Sequence, residues 1–193
     1  MRRKFIDTGL SHWKNLVRGS QSALYELYNI YYEDLYFYGM KICGDDALIR
    51  DIIQDIFIDL WTKQAKLPEI SAVRPYILRM MRNKAIDEIK KHDQKVVGND
   101  NMVFESLVDF QYSPEEMILS GESEQELSVQ IAKALNALPT RQREIIQLRF
   151  FSRCSYEEIG EITGVNYQSA RNTVSKALKN LRNSIQEEIS SRT

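Results

Sequence analysis

Residues 155–181 read SYEEIGEITGVNYQSARNTVSKALKNL, two amphipathic segments separated by a Gly-Val-Asn turn. Ser155 and Glu158 have the spacing of a capping box, in which each side chain binds the other residue's backbone N–H at a helix start. Gly164 predicts the end of this first helix, because glycine adopts the left-handed conformation at low cost. Asn166 is the expected cap of a second helix. The pattern therefore predicts a helix-turn-helix.

The second helix of this pair is predicted to have one buried face and one polar face. The buried face is expected to hold apolar residues at three- and four-residue spacing, namely Ala170, Val174, Ala177, Leu178 and Leu181. The polar face holds Gln168, Arg171, Asn172, Ser175 and Lys179. Arginine and amide side chains suit base edges, because they form paired hydrogen bonds with guanine and adenine. An ordinary helical hairpin with a polar surface is the alternative interpretation.

The composition of the 193-residue chain favours an all-α protein, because 8 glycines and 4 prolines are few for a protein with many tight β-turns. Two cysteines, Cys43 and Cys154, are far apart, which excludes a disulfide scaffold and a Cys-rich zinc site. The basic N-terminus is followed by no apolar run, and no segment has the length and hydrophobicity of a membrane span. We therefore expect a soluble, cytoplasmic protein without a signal peptide.

The net charge of −1 conceals blocks of opposite sign. The net charge is +4 over residues 1–20, −6 over 21–60, +5 over 61–95, −8 over 96–126 and +4 over 127–193. Basic blocks can face polyanions, and acidic blocks can cover them or bind other partners. Solvated helix faces would produce the same blocks, so the charge pattern needs the support of motifs.

Two small helical domains joined by a flexible acidic linker are the predicted organisation. Residues 10–95 have helical periodicity interrupted by short breaks, whereas residues 96–112 lose it. Ser113, followed by Pro-Glu-Glu, predicts the start of a helix that reaches about Ala137. The C-terminal domain is therefore expected over residues 113–188.

Two helices of the N-terminal domain show clear apolar stripes. The stripe expected on the helix that follows the capping residue Ser20 consists of Leu24, Leu27, Tyr28, Tyr31, Leu35 and Tyr38. The stripe on the next helix, which is expected to end near Lys63, consists of Ile49, Ile52, Ile53, Ile56, Phe57 and Leu60. Opposite the second stripe, Ile58 lies among Asp51, Gln54 and Asp55. An apolar residue on an exposed acidic face indicates a protein partner, although isolated surface isoleucines are common.

A fourth helix, starting between Ser71 and Pro75, is expected to have a basic outer strip. Its buried line is predicted to be Leu78, Met81, Ala85 and Ile89. The strip consists of Arg79, Asn83, Asp87, Lys90 and Lys91, with Arg82 and Lys84 beside it. Such a strip can lie along a nucleic-acid backbone, or it can simply be solvated.

The order of the motifs resembles that of bacterial RNA polymerase sigma factors of the extracytoplasmic-function (ECF) group of the sigma-70 family. The segments that carry the resemblance are GSQSALYELY at 19–28, DIIQDIF at 51–57 with Trp61, YILRMMRNKA at 76–85, LPTRQREI at 138–145 and SYEEIG at 155–160. The resemblance covers roughly residues 10–95 and 113–185. It implies two helical domains, called region 2 and region 4, that bind polymerase and promoter DNA.

The resemblance implies three binding sites on these domains. The helix that docks on the clamp helices of the polymerase β′ subunit would contribute Asp51, Gln54, Asp55, Ile58 and Trp61. The minus-ten promoter element, where a base is flipped out, would meet the loop at 64–73 and the residues Arg79, Arg82, Asn83, Lys84 and Asp87. The minus-thirty-five element would meet Gln168, Arg171, Asn172, Ser175, Lys176 and Lys179.

Other partners implied by the resemblance are the polymerase β flap and an inhibitory anti-sigma factor. No cofactor or metal is implied. This sequence departs from the family pattern at Thr173, where an arginine is usual, in a short loop at 64–73, and at the bulkier pair Tyr167-Gln168. The promoter sequence that it reads is therefore not transferable from relatives.

Two other classes of protein compete with this interpretation. A helix-turn-helix regulator that does not bind core polymerase explains the C-terminal domain, but it leaves the face around Asp55 without a role. A helical metal-dependent enzyme is suggested by His92-Asp93, but His12 is the one other histidine and no nucleophile–base pair is evident. We therefore expect no enzymatic activity.

Overall fold

The computed structural model describes residues 9–92, 108, 110–116 and 122–190. The described part of the chain is helical and contains no strand, as the composition predicts. It divides into two compact units, one formed by the helices up to His92 and the other by nearly all residues from Val108 onward. None of the described helices is long and apolar enough to cross a membrane.

The described part of the first unit contains four α-helices, which are α1 (Gly9–Val17), α2 (Gln21–Cys43), α3 (Asp46–Thr62) and α4 (Val73–His92). A 3₁₀ turn, Gln64–Lys66, follows α3. The helix ends follow the local sequence. Ser20 Oγ accepts a hydrogen bond from the backbone N–H of Ala23 at 3.3 Å, and Gly44 ends α2 with a φ of 68°. Asp45 caps α3 by accepting from the N–H of Leu48 at 3.1 Å.

The core of the first unit confirms the stripe predicted on α3, since all six of its residues are buried. On α2 the buried line runs through Ala23, Leu27, Tyr31, Leu35 and Tyr38. The prediction for Leu24 and Tyr28 was wrong, because Leu24 is half-buried and Tyr28 is 38% exposed. Each follows a residue of the buried line, and one residue turns a helix by about 100°, which moves both side chains to its edge.

The second unit contains α5 (Glu122–Asn136), α6 (Thr140–Ile146), α7 (Tyr156–Thr163) and α8 (Tyr167–Ser190), with a π-helical turn at Gln147–Phe151. The helix predicted to begin at Ser113 is a 3₁₀ turn at Pro114–Glu116. Residues 117–121 lie outside the described part of the chain, and the α-helix that reaches Asn136 is described from Glu122.

A short segment before that 3₁₀ turn is bound to α5 and α6 through Tyr112. Its N–H donates to Asn136 Oδ1 at 2.8 Å, and its carbonyl accepts from Asn136 Nδ2 at 2.9 Å. Its buried hydroxyl donates to the backbone carbonyl of Arg143 at 2.9 Å, and its ring lies 5.4 Å from that of Phe151. We call this arrangement the Tyr112 clasp. Side-chain and backbone contacts together hold Tyr112 against the second unit.

The helix-turn-helix formed by α7 and α8 has the predicted caps. Ser155 Oγ accepts from the N–H of Glu158 at 3.1 Å, and Glu158 Oε2 accepts from the N–H of Ser155 at 2.6 Å. Gly164 has a φ of 74°, and Asn166 Oδ1 accepts from the N–H of Ser169 at 2.8 Å. Local chemistry thus determines where both helices begin and where the first one ends.

The buried face of α8 is narrower than its apolar pattern predicts. Ala170, Val174 and Ala177 are buried as expected, and Leu181 is half-buried. The prediction for Leu178 was wrong, because 45% of its surface is exposed. Leu178 lies one residue, about 100°, beyond Ala177, and a helix that packs along one line covers only a narrow stripe.

Candidate nucleic-acid and partner-protein interfaces

The outer face of α3 presents the combination of groups that the sequence indicates. Asp51, Gln54 and Asp55 are exposed, and Ile58 among them is 50% exposed. Trp61 at the end of the same helix is half-buried. An apolar side chain flanked by carboxylates and an amide thus lies open on a regular helix.

A groove of about 460 Å³ lies beside this face, between α2 and α3. The residues lining it are Leu24, Tyr28, Tyr32, Arg50, Gln54, Phe57, Ile58 and Trp61. The Tyr28 ring packs 5.0 Å from Phe57 and 5.2 Å from Tyr32. The apolar pattern placed Tyr28 on the buried stripe of α2, and it gave no position to Tyr32 or Tyr36. The four-residue spacing of Tyr28, Tyr32 and Tyr36 is the signal that could have placed them on a second face.

One end of the groove is braced by a polar network around Asp46. Arg50 Nε lies 3.0 Å from Asp46 Oδ2, and the Tyr36 hydroxyl donates to Asp46 Oδ1 at 2.7 Å. Arg50 also donates to the Tyr32 hydroxyl at 2.9 Å. The hydrogen bonds from Arg50 and then Tyr36 lower the pKa of Asp46. The network holds Arg50 and Tyr32 at the wall of the groove.

The outer strip of α4 is partly as predicted. Arg79, Asn83 and Asp87 are exposed. The expectation that Arg82 lies beside them was wrong, because Arg82 is 2% exposed. It lies four residues from both Leu78 and Ile86, which are buried, so the helix turn places it within the core-facing arc.

Lys84 connects this strip to α3 through an ion pair. Its Nζ lies 2.8 Å from Asp59 Oδ2, while Lys63 Nζ lies 2.8 Å from Asp59 Oδ1. Hydrogen bonds from Lys63 and Lys84 lower the pKa of the Asp59 carboxyl. A lysine ammonium has three donors, so Lys84 can hold Asp59 and still offer charge outward.

All six residues predicted to face DNA on α8 are exposed, namely Gln168, Arg171, Asn172, Ser175, Lys176 and Lys179. Gln168 Nε2 donates to Asn172 Oδ1 at 3.0 Å, which fixes the two amides relative to each other. Thr173 donates its hydroxyl to the carbonyl of Ser169 at 2.8 Å, so that hydroxyl is engaged within the helix. These exposed residues carry the amide, hydroxyl and cationic groups that are typical of a recognition helix.

Comparison with known families matches both units. Residues 27–95 match Sigma-70 region 2, and residues 128–181 match Sigma-70, region 4. The ECF RNA polymerase sigma factor SigM of Bacillus subtilis is 22% identical over 81% of this chain and 91% of its own length.

Two solved structures have a similar fold. CnrH, in complex with the cytosolic domain of CnrY, has a TM-score of 0.61 and 16% identity over 97% of this chain and all of that one. RpoE of Bartonella quintana, in complex with the anti-sigma factor NepR, has a TM-score of 0.51 and 21% identity over 83% of this chain and 95% of its own.

The helix-turn-helix and the two matched regions define the class. The chain belongs to the sigma-70 family of RNA polymerase sigma factors. Within that family it is an ECF sigma factor, a factor that directs promoter recognition and the initiation of transcription.

Proposed function

We propose that the chain binds core RNA polymerase through α3 and reads two promoter elements through α4 and α8. The domains would be residues 10–95 for polymerase and the minus-ten element, residues 96–112 as an acidic linker whose last residue, Tyr112, is held against the second unit, and residues 113–188 for the minus-thirty-five element. The observation that carries the proposal is the exposure of Ile58 among Asp51, Gln54 and Asp55 on α3. A helix-turn-helix regulator that does not bind core polymerase leaves this exposed face without a function.

The exposed face of α3 is the proposed contact for the clamp helices of the polymerase β′ subunit. Ile58 and Trp61 would supply apolar contact. Both line the groove, so a partner side chain inserted there would be shielded from water. Asp51 and Asp55 would set charge complementarity, which mainly governs orientation and association rate. Gln54 lies on the same face as the acidic residues and also lines the groove with Ile58 and Trp61.

The minus-ten element is assigned to the outer strip of α4. Arg79, Asn83 and Asp87 are exposed and would contact DNA directly. Lys84 would add charge next to its ion pair with Asp59. The burial of Arg82 changes its proposed role from direct contact to support of the helix that carries the other residues.

The minus-thirty-five element is assigned to α8. Gln168, Arg171 and Asn172 lie in its first two turns, where a recognition helix meets base edges. Ser175 and Lys176 would also lie in the major groove, whereas Lys179, two turns after Arg171, lies where the helix leaves the groove and phosphates are nearer.

An inhibitory partner is also proposed. RpoE of Bartonella quintana is described in complex with an anti-sigma factor, and CnrH in complex with the cytosolic domain of CnrY. We extend this kind of partner to the present chain, together with the β flap of polymerase as a contact of the C-terminal domain. Recovery of the chain from unstimulated cells free or bound to polymerase, and never with an inhibitor, would contradict the extension.

Competition for core polymerase tests the central assignment. Asp55→Arg should weaken competition against a labelled sigma factor while leaving helicity unchanged, because a single exposed charge rarely decides folding. Glu26→Arg is the matched control, since Glu26 is an exposed carboxylate on α2 outside the proposed sites.

Equal competition by the two variants would remove α3 from the interface. Failure of the unaltered chain to bind core polymerase in the absence of DNA would favour the helix-turn-helix regulator instead.

A further inference from the structure

Arg149, Tyr156 and Tyr167 form a side-chain cluster at the helix-turn-helix. The Arg149 guanidinium lies 4.8 Å from the centre of the Tyr156 ring, and Arg149 also donates to the backbone carbonyl of Cys154 at 2.8 Å. The rings of Tyr156 and Tyr167 are 5.7 Å apart at 80°, an edge-to-face contact. Such contacts favour one relative orientation of the rings. Tyr167 is nevertheless 45% exposed.

Tyr167 lies at the rim of the surface proposed to face DNA. It is the first residue of α8, three residues before buried Ala170 and four before exposed Arg171. Residues three and four apart share a side of a helix, so Tyr167 lies between the buried line and Arg171. Its contact with Tyr156, the first residue of α7, turns the ring toward that helix.

The docking geometry of helix-turn-helix proteins determines what lies next to this rim. The recognition helix enters the major groove, and the first helix of the motif crosses the DNA backbone. The edge of α8 next to α7, where Tyr167 contacts Tyr156, is therefore the edge nearest the phosphates that α7 crosses. Tyrosine is among the side chains that donate hydrogen bonds to phosphate oxygens.

We propose that the Tyr167 hydroxyl donates a hydrogen bond to one backbone phosphate of the minus-thirty-five element, and that Tyr156 positions the ring for it. The proposal rests on the proposed docking of α8 in the major groove. The contact sets the register of the helix on the duplex and carries no sequence information of its own. Because a phenol is neutral, the contact releases no counterion and leaves the salt dependence unchanged.

Tyr167→Phe removes the hydroxyl and keeps the ring. In complex with core polymerase, this variant should bind about tenfold more weakly, both to the proper minus-thirty-five sequence and to a scrambled one. The slope of log affinity against log salt concentration should match that of the unaltered chain. Tyr25→Phe is the matched control, since Tyr25 is a 64% exposed tyrosine on α2, and it should change nothing.

Replacing single phosphates with methylphosphonates locates the contact. One replacement should weaken binding of the unaltered chain and have no further effect on Tyr167→Phe. The proposal is overturned if no position behaves in this way, or if Tyr25→Phe loses as much affinity. It is also overturned if Tyr167→Ala weakens binding while Tyr167→Phe does not, since the ring alone would then act.

Arg171→Ala separates this proposal from the docking on which it rests. If Arg171→Ala loses affinity for the proper sequence but Tyr167→Phe is unaffected, the docking stands and the Tyr167 contact is wrong. If Arg171→Ala loses the same affinity for the proper and the scrambled sequence, or loses none, the docking fails and the Tyr167 contact fails with it.

Discussion

Lys84 on α4 lies 2.8 Å from Asp59 on α3, so one ion pair joins the helix proposed to bind polymerase to the helix proposed to bind the minus-ten element. Both side chains are between a quarter and a third exposed, at 29% and 28%. Lys63 occupies the other carboxylate oxygen of Asp59. The relative orientation of α3 and α4 therefore depends partly on the charge of a single carboxylate.

This carboxylate makes the stability of the first unit depend on pH. Because the pKa of Asp59 is lowered in the folded chain, its contribution is complete above the ordinary pKa of an aspartate and is lost as the pH falls through the folded value. Asp59→Asn should reduce the free energy of unfolding at pH 7 by about 1 kcal/mol or less, and the difference should shrink on acidification.

Tryptophan fluorescence during chemical unfolding measures this effect, because Trp13 and Trp61 are both in the first unit and are the chain's two tryptophans. A difference between Asp59→Asn and the unaltered chain that stays constant from neutral to acid pH would contradict the assignment.

Gly44 should be sensitive to substitution for reasons of backbone conformation alone. Its φ is 68°, yet a methyl group added there would meet no atom within 4 Å. Gly44→Ala should therefore cost about 1 kcal/mol in the stability of the first unit, measured by the same fluorescence. Gly44→Asn should cost less, since asparagine tolerates this conformation better. Equal stability of all three chains would show that α2 can end in another way.

The Tyr112 clasp should protect one backbone amide. Asn136→Ala removes the acceptor for the Tyr112 N–H and the donor to its carbonyl, at a cost of roughly 1–3 kcal/mol for partly buried groups. Hydrogen exchange at the Tyr112 amide should accelerate in this variant. Tyr112→Phe keeps both of these bonds and loses only the hydroxyl bond to Arg143. The backbone amide of residue 112 should therefore exchange more slowly in Tyr112→Phe than in Asn136→Ala. The reverse order would show that the hydroxyl holds the segment.

Arg171 and Lys179 should differ in what they contribute to DNA binding. Arg171→Ala should cost about 1–3 kcal/mol on the proper minus-thirty-five sequence and little on a scrambled one, because arginine can bond base edges. Lys179→Ala should weaken both sequences equally and reduce the salt slope by about one phosphate contact. Both are measured on the complex with polymerase. If the affinity loss from each substitution is the same on both DNA sequences, Arg171 contacts the DNA backbone and the docking of α8 is wrong.

Predictions based on local chemistry were the most accurate. The capping box of Ser155 and Glu158, the left-handed Gly164 and the cap by Asn166 all depend on neighbours a few residues away. The α3 stripe was also predictable, because every apolar residue in it shares one broad face. The exposed polar face of α8 followed from the same periodicity.

Predictions at the edges of stripes failed for one geometric reason. Leu178 and Tyr28 each lie about 100° from a buried line, and Arg82 lies inside one despite its charge. Periodicity identifies which residues share a face, but the width of the covered face depends on the helices that pack against it. Residue type alone therefore misassigned all three.

The sequence by itself determined most of the helices, the caps of the helix-turn-helix and the order of motifs that identifies an ECF sigma factor, because these depend on residues close together in the chain. Tertiary packing alone decided that Tyr28 lines a groove, that Lys84 is paired with Asp59, and that Tyr112 is held by Asn136. These contacts join residues 24 or more positions apart or depend on how helices are covered. Such proximity arises when apolar faces pack together, and no local pattern encodes it.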